Sequence, residues 1–110
     1  MMQEISVTEA HHMLNEGRAH GIDVREASEW EAGHIDGITW HALSDFNLTQ
    51  LPADDKPIIF VCRTGNRSGQ VTNFLSDNGR QNVINMAGGM QAWHEAGLPM
   101  VADHGAPFVA

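Results

Sequence analysis

The segment PIIFVC (57–62) is apolar at every position, whichever way an extended chain is turned. A strand with one wet face alternates apolar and polar residues. An unbroken apolar run bounded by turn residues fits a strand covered on both faces, as inside a parallel sheet. Periodicity alone leaves a buried helix segment open here, so the surroundings must decide. NVINM (82–86) reads as another buried strand, and GIDV (21–24) as a short strand. ITWHAL (38–43) reads as a weaker strand.

Helical patterns lie between these runs. Ser6 and Glu9 have capping-box spacing and should open a helix with Ala10, Met13 and Leu14 inward and Gly17 past its end. EASEWEAG (26–33) is a short helical stretch ending at glycine. FNLTQL (46–51) fits a helical turn, and PADDKP (52–57) a polar turn with a proline at each end. From Ser68 to Asn78 one face carries Val71, Phe74 and Leu75, and Gly79 supplies a stop. Gly88 and Gly89 shape a turn before a last helix that turns Met90 and Trp93 inward and stops at Gly97 and Pro99. Strands alternating with helices predict a three-layer α/β fold, a mostly parallel central sheet with helices on both faces. Residues 1–110 read as one domain, with 101–110 either a loose tail or docked through Phe108 and Val109.

Composition narrows the function. The chain has 6 Lys and Arg against 14 Asp and Glu, a formal charge of -8, which disfavours non-specific nucleic-acid binding. It contains 1 Cys, too few for a disulfide framework or a multi-cysteine zinc cluster. The N-terminus does not read as a signal peptide, and no apolar run reaches membrane-spanning length. A cytoplasmic, reduced thiol is the expectation. His11-His12 lacks the i,i+4 spacing of a helical metal pair, so neither metal nor cofactor is predicted. With no exposed apolar stripe in view, a monomer is expected.

The one thiol, Cys62, ends the most apolar strand, where ligand sites of open α/β folds lie. Arg63, Thr64, Gly65, Asn66 and Arg67 follow it, and then Ser68, near which the helix should begin. Gly65 and Asn66 tolerate the positive φ that curls backbone amides around an anion. The helix N-terminus adds partial positive charge, and no acidic residue lies between Pro57 and Ser76. These features should lower the pKa of Cys62. Arg67 and Arg63 give a small anion forked donors within a negative protein. A lone cysteine is usually a small buried hydrophobe. Two arginines and a glycine at a strand-to-helix turn are not what a core cysteine needs.

At these residues the sequence resembles the rhodanese sulfurtransferase family. CRTGNRS (62–68) is similar to that family's active-site loop. DVREASEWEAGHIDG (23–37) resembles its first signature, and NVINMAGGMQAWHEAGLPM (82–100) its closing one. The resemblance runs from about Gln3 to Met100. It implies that the Cys62 thiolate takes the outer sulfur of thiosulfate or a similar donor, sulfite leaves, and a persulfide forms. Cyanide or a thiol would then accept the sulfur, including a thioredoxin-like or sulfur-relay protein. Arg67 and Arg63 would bind the sulfonate, while Thr64, Gly65, Asn66 and Ser68 would cradle the sulfur.

The family is related in fold to phosphatases with a Cys-x5-Arg loop, whereas here four residues separate Cys62 from Arg67. The shorter loop suits a single sulfur atom better than a phosphate, which leaves a Cys-dependent phosphatase or arsenate reductase as the lesser alternative. A partner-specific relay or docking module is the other alternative. Asp23 and Arg25 match the first signature and read as structural, with Arg25 paired to a carboxylate such as Glu29 and Asp23 bonding near the loop. His34 reads as a satisfied structural histidine, and Trp30 and Trp93 as core. GITWHAL (37–43) departs from the family, placing Trp40 and Ala42 where Asn and Pro are usual. If it lines the mouth of the site, Trp40 and His41 would tune acceptor choice.

Overall fold

A computed structural model describes residues 2–110. Its strands are β1 (Gln3–Ile5), β2 (His20–Asp23), β3 (Thr39–Trp40), β4 (Ile58–Val61) and β5 (Val83–Met86). They form one sheet in the order β1-β5-β4-β2-β3, with every pairing parallel. The helices are α1 (Val7–Asn15), α2 (Ala27–Ala32), α3 (Asn66–Asp77) and α4 (Gly89–Glu95). β4 lies at the centre, and each of its residues is buried. That burial explains the unbroken apolar run. β1 had no distinct signal in the sequence, because three residues on a sheet edge are too few to show a period. The expected third strand shrinks to two residues, followed by single 3-10 turns at Leu43–Asp45 and Leu48–Gln50.

The alternation of side chains along the strands builds two cores. Ile59 and Val61 of β4, with Ile84 and Met86 of β5, pack against Val7 and Ala10 of α1 and Met90 and Trp93 of α4. Ile58, Phe60 and Cys62 face the other way, with Val83, against Val71 and Leu75 of α3. Phe74, expected to turn inward with them, is mostly exposed. Ser6 caps α1 as expected, its hydroxyl accepting from the Glu9 amide at 3.1 Å.

Residues 101–110 lie along α2 and the loop after it. The Phe108 amide donates to Ala32 O at 3.0 Å, and His34 and Val101 exchange backbone hydrogen bonds. Val109 packs against the α1/α4 core, while the Phe108 ring stays largely exposed. Among the described residues, no helix is long and apolar enough to cross a membrane.

Candidate active site

Cys62 directly follows β4, and its side chain continues the face set by Ile58 and Phe60. The strand period therefore aims the sulfur at α3. Gly65 caps that helix with φ 96°, a conformation that L side chains adopt only with strain. The turn lets the Gly65 amide donate to Cys62 Sγ at 3.0 Å. The positive φ belongs to Gly65 alone. Asn66 is already the first residue of α3, so the helix begins two residues earlier than the sequence suggested.

Ser68 Oγ lies 3.2 Å from Cys62 Sγ and 2.6 Å from Asn85 Oδ1. Burial pushes the Cys62 thiol up. The Ser68 hydroxyl and the amides of Ser68, Gly65 and Thr64 outweigh it and hold the pKa below its ordinary value. These donors favour the anionic form of the sulfur, in a residue that is only 1% exposed.

α4 holds this loop from behind. The Met90 amide donates to Cys62 O at 2.8 Å, and the Gln91 amide to Arg63 O at 2.9 Å. Such close approach needs Gly89, where an added Cβ would stand 2.5 Å from Cys62 O. The two glycines expected to shape a turn therefore also seat a helix end against the active loop.

Both loop arginines have protein partners. Arg67 makes two parallel hydrogen bonds of 2.8 Å to the Glu29 carboxylate of α2. That pairing lowers the Glu29 pKa and raises that of Arg67. Arg63 Nε donates to Ala110 O at 2.9 Å. Thr64 and Asn66 are both exposed.

Arg25 does not pair with Glu29, as the sequence had suggested. It forms a fully buried ion pair with Asp23, with Nη2 2.8 Å from Asp23 Oδ2 and also 2.8 Å from Gly33 O. Two positions back along the chain is close enough for Asp23 to capture it, and Glu29 is left for Arg67. Asp23 also accepts from the Arg25 amide, so its carboxylate is spent on Arg25.

His34 is structural: its Nδ1 lies 2.6 Å from Trp30 O, and its ring stacks on Trp30 at 3.7 Å. Trp30 is half-buried in that stack and is not a core residue, unlike Trp93. His41 is buried, stacks on Phe46 and accepts from the Asn47 amide at 2.9 Å. Trp40 is 41% exposed and donates to Arg25 O at 2.8 Å. Among the described residues, no group of His, Cys, Asp or Glu is arranged to hold a metal ion. The sequence alone singled out neither Asn85, which accepts from Ser68, nor Glu4, whose Oε2 accepts from Asn85 Nδ2 at 2.8 Å. The one available hint of the first was a polar residue between Ile84 and Met86.

The rhodanese-like domain profile matches residues 6–96, which takes in the loop, the Asp23–Arg25 pair and the paired glycines. The chain belongs to the rhodanese-like domain family. It is 32% identical, over 86% of its length and 90% of the relative's, to the protein named thiosulfate sulfurtransferase GlpE from Pseudoalteromonas translucida. It is 39% identical over 88 residues to an uncharacterised protein of Synechocystis, covering 79% of this chain but spanning only about half (49%) of that relative. In structure the rhodanese-like domain superposes on a rhodanese-related protein from Thermoplasma volcanium with a TM-score of 0.81 and 29% identity. That match covers 90% of this chain and 97% of the other.

Proposed function

We propose that this rhodanese-like domain transfers a sulfane sulfur from a small anionic donor of the thiosulfate type to a thiol or cyanide, through a persulfide on Cys62. The observation that carries the reading is the set of donors around one sulfur: the Gly65 amide at 3.0 Å and the Ser68 hydroxyl at 3.2 Å. The Cys62 thiolate attacks the outer sulfur of the donor, the S–S bond breaks, and sulfite leaves with its electron pair. The persulfide anion then lies in the same ring of amides. An acceptor attacks the outer sulfur and regenerates the thiolate, so no base and no external redox partner are needed. Arg67 meets the sulfonate of the donor, and Arg63 assists at the rim.

A second reading is a relay that takes its sulfur from a protein partner. The pairing of Arg67 with Glu29 and of Arg63 with Ala110 O favours it, because a free anion must share or displace those partners. Intact mass after thiosulfate, and again after cyanide, tests both. A gain of one sulfur on wild type but not on Cys62→Ser, discharged as thiocyanate, supports turnover on free substrates. A domain that loads only from a protein persulfide is a relay. Release of phosphate from an aryl phosphate, with no sulfur gained, would overturn both readings.

A further inference from the structure

Behind the sulfur lies a buried chain of polar groups that no step above uses. Asn85 of β5 and Ser68 of α3 face the same side of the sheet as Cys62, and all three are buried. The Asn85 amide has one permitted orientation. Its Nδ2 donates to Glu4 Oε2 at 2.8 Å and to Gly65 O at 3.1 Å. A carboxylate and a carbonyl only accept, so a flipped amide would set oxygen against oxygen twice. Asn85 Oδ1 must therefore face Ser68 as an acceptor. The Ser68 hydroxyl has one proton and two acceptors competing for it, Asn85 Oδ1 at 2.6 Å and Cys62 Sγ at 3.2 Å.

We infer that Ser68 is a rotating donor whose proton follows the charge on Cys62 Sγ, and that Asn85, locked by Glu4, is the acceptor that holds this proton whenever Sγ is neutral. The catalytic sense of the device rests on the sulfurtransferase reading. When Sγ is a thiolate, the Ser68 proton turns to it. When Sγ attacks the donor, the new S–S bond leaves Sγ uncharged and puts the negative charge on the outer sulfur. The proton then returns to Asn85 Oδ1. When an acceptor attacks the outer sulfur, the S–S bond breaks and its electron pair falls back on Sγ, which leaves as a thiolate. The hydroxyl turns again and stabilises that leaving group as its charge develops. The proton stays on Ser68 throughout. Ser68 is a catalytic residue, since it touches the reacting sulfur, and Asn85 is a positioning residue.

The test is the pKa of Cys62, read from ultraviolet thiolate absorbance and from the pH dependence of alkylation by iodoacetamide. Charged groups on the surrounding elements are Arg67 of α3, Glu29 of α2, Asp23 and Arg25 at the end of β2, and Glu4 of β1. Only Glu4 is altered below. Ser68→Ala removes the donor and should raise the pKa by about one unit, the worth of a hydrogen bond to a charged group. Asn85→Ala removes the competing acceptor and should lower it. Glu4→Gln, an exposed change that keeps the fold, lets the Asn85 amide turn its Nδ2 toward Ser68 and should lower it too. Neither lowering should survive in a Ser68→Ala background. A rise in Asn85→Ala would show that Asn85 merely supports the Gly65 turn. A Glu4→Gln shift of equal size with and without Ser68 would be a through-space charge effect. Either result overturns the inference. Discharge of preloaded persulfide by cyanide should slow several-fold in Ser68→Ala, and an unchanged rate would remove its catalytic role. If the wild type takes up no sulfur from any donor, the sulfurtransferase reading falls, while the pattern of pKa values still decides the toggle.

Discussion

Gly89→Ala tests whether α4 sets the active loop. An alanine Cβ here would stand 2.5 Å from Cys62 O and 2.6 Å from the carbonyl of Arg63, well inside the 3.4 Å at which ordinary contact begins. Those atoms are backbone, so no side chain can swing away. The residue also has φ +60°, which costs an L-amino acid about 1–2 kcal/mol. Overpacking adds about 1–3 kcal/mol, for a total of about 2–5 kcal/mol. That is a large part of the roughly 5–15 kcal/mol that holds a domain folded. Gly97→Ala isolates the clash, because Gly97 has φ +72° and nothing within 4 Å of an added Cβ. It should lose only the backbone share. Urea unfolding of both variants at neutral pH gives the difference. Thiolate absorbance should also show the Cys62 pKa rising in Gly89→Ala alone, as the carbonyls bonded to Met90 and Gln91 move with the loop. Equal losses in the two variants, within about 0.5 kcal/mol, would mean that α4 does not press on the loop and that the argument fails.

Two other predictions concern the ion pairs. Asp23→Asn leaves the guanidinium of Arg25 buried without a counter-charge and should cost about 3–5 kcal/mol in urea unfolding. A loss below about 1 kcal/mol would mean that the pair is not the structural element described here. The Glu29 carboxyl is held below its ordinary pKa by its hydrogen bonds to Arg67, so the pair's stabilisation is present above about pH 4.3 and is lost as pH falls through the depressed value. Glu29→Gln should therefore be less stable than wild type near pH 7, with the gap closing in acid. A gap that stays constant down to pH 3, or widens, would contradict that sign.

How much was legible in the sequence depended on how local each determinant is. Four of the five strands, the helices and the strand-to-helix turn at Cys62 follow from neighbours within a few residues: an apolar run, a helical period, a glycine at a stop. The sulfur's own cradle is equally local, since Gly65 and Ser68 reach Cys62 within one turn of chain. Partners distant along the chain were hidden. Arg67 could have met Glu29 or a free anion, and Arg25 could have met Asp23 or Glu29. Only the placement of α2 beside the loop decided between them.

Asn85 is the sharpest case. The sequence placed it in a buried strand without singling it out, and β5 lying beside β4 made it the acceptor behind Ser68 and Cys62 Sγ. Glu4 joins it because β1 pairs with β5 across more than half the chain, with Glu4 directly opposite Asn85. By itself the sequence determined the fold class and the strand-to-helix turn that follows Cys62, because backbone conformation and strand period answer to nearby residues. Which charges neutralise which, and which hydroxyl faces which acceptor, was decided by tertiary structure. Such pairings depend on distances that exist only once the sheet has brought its strands into register.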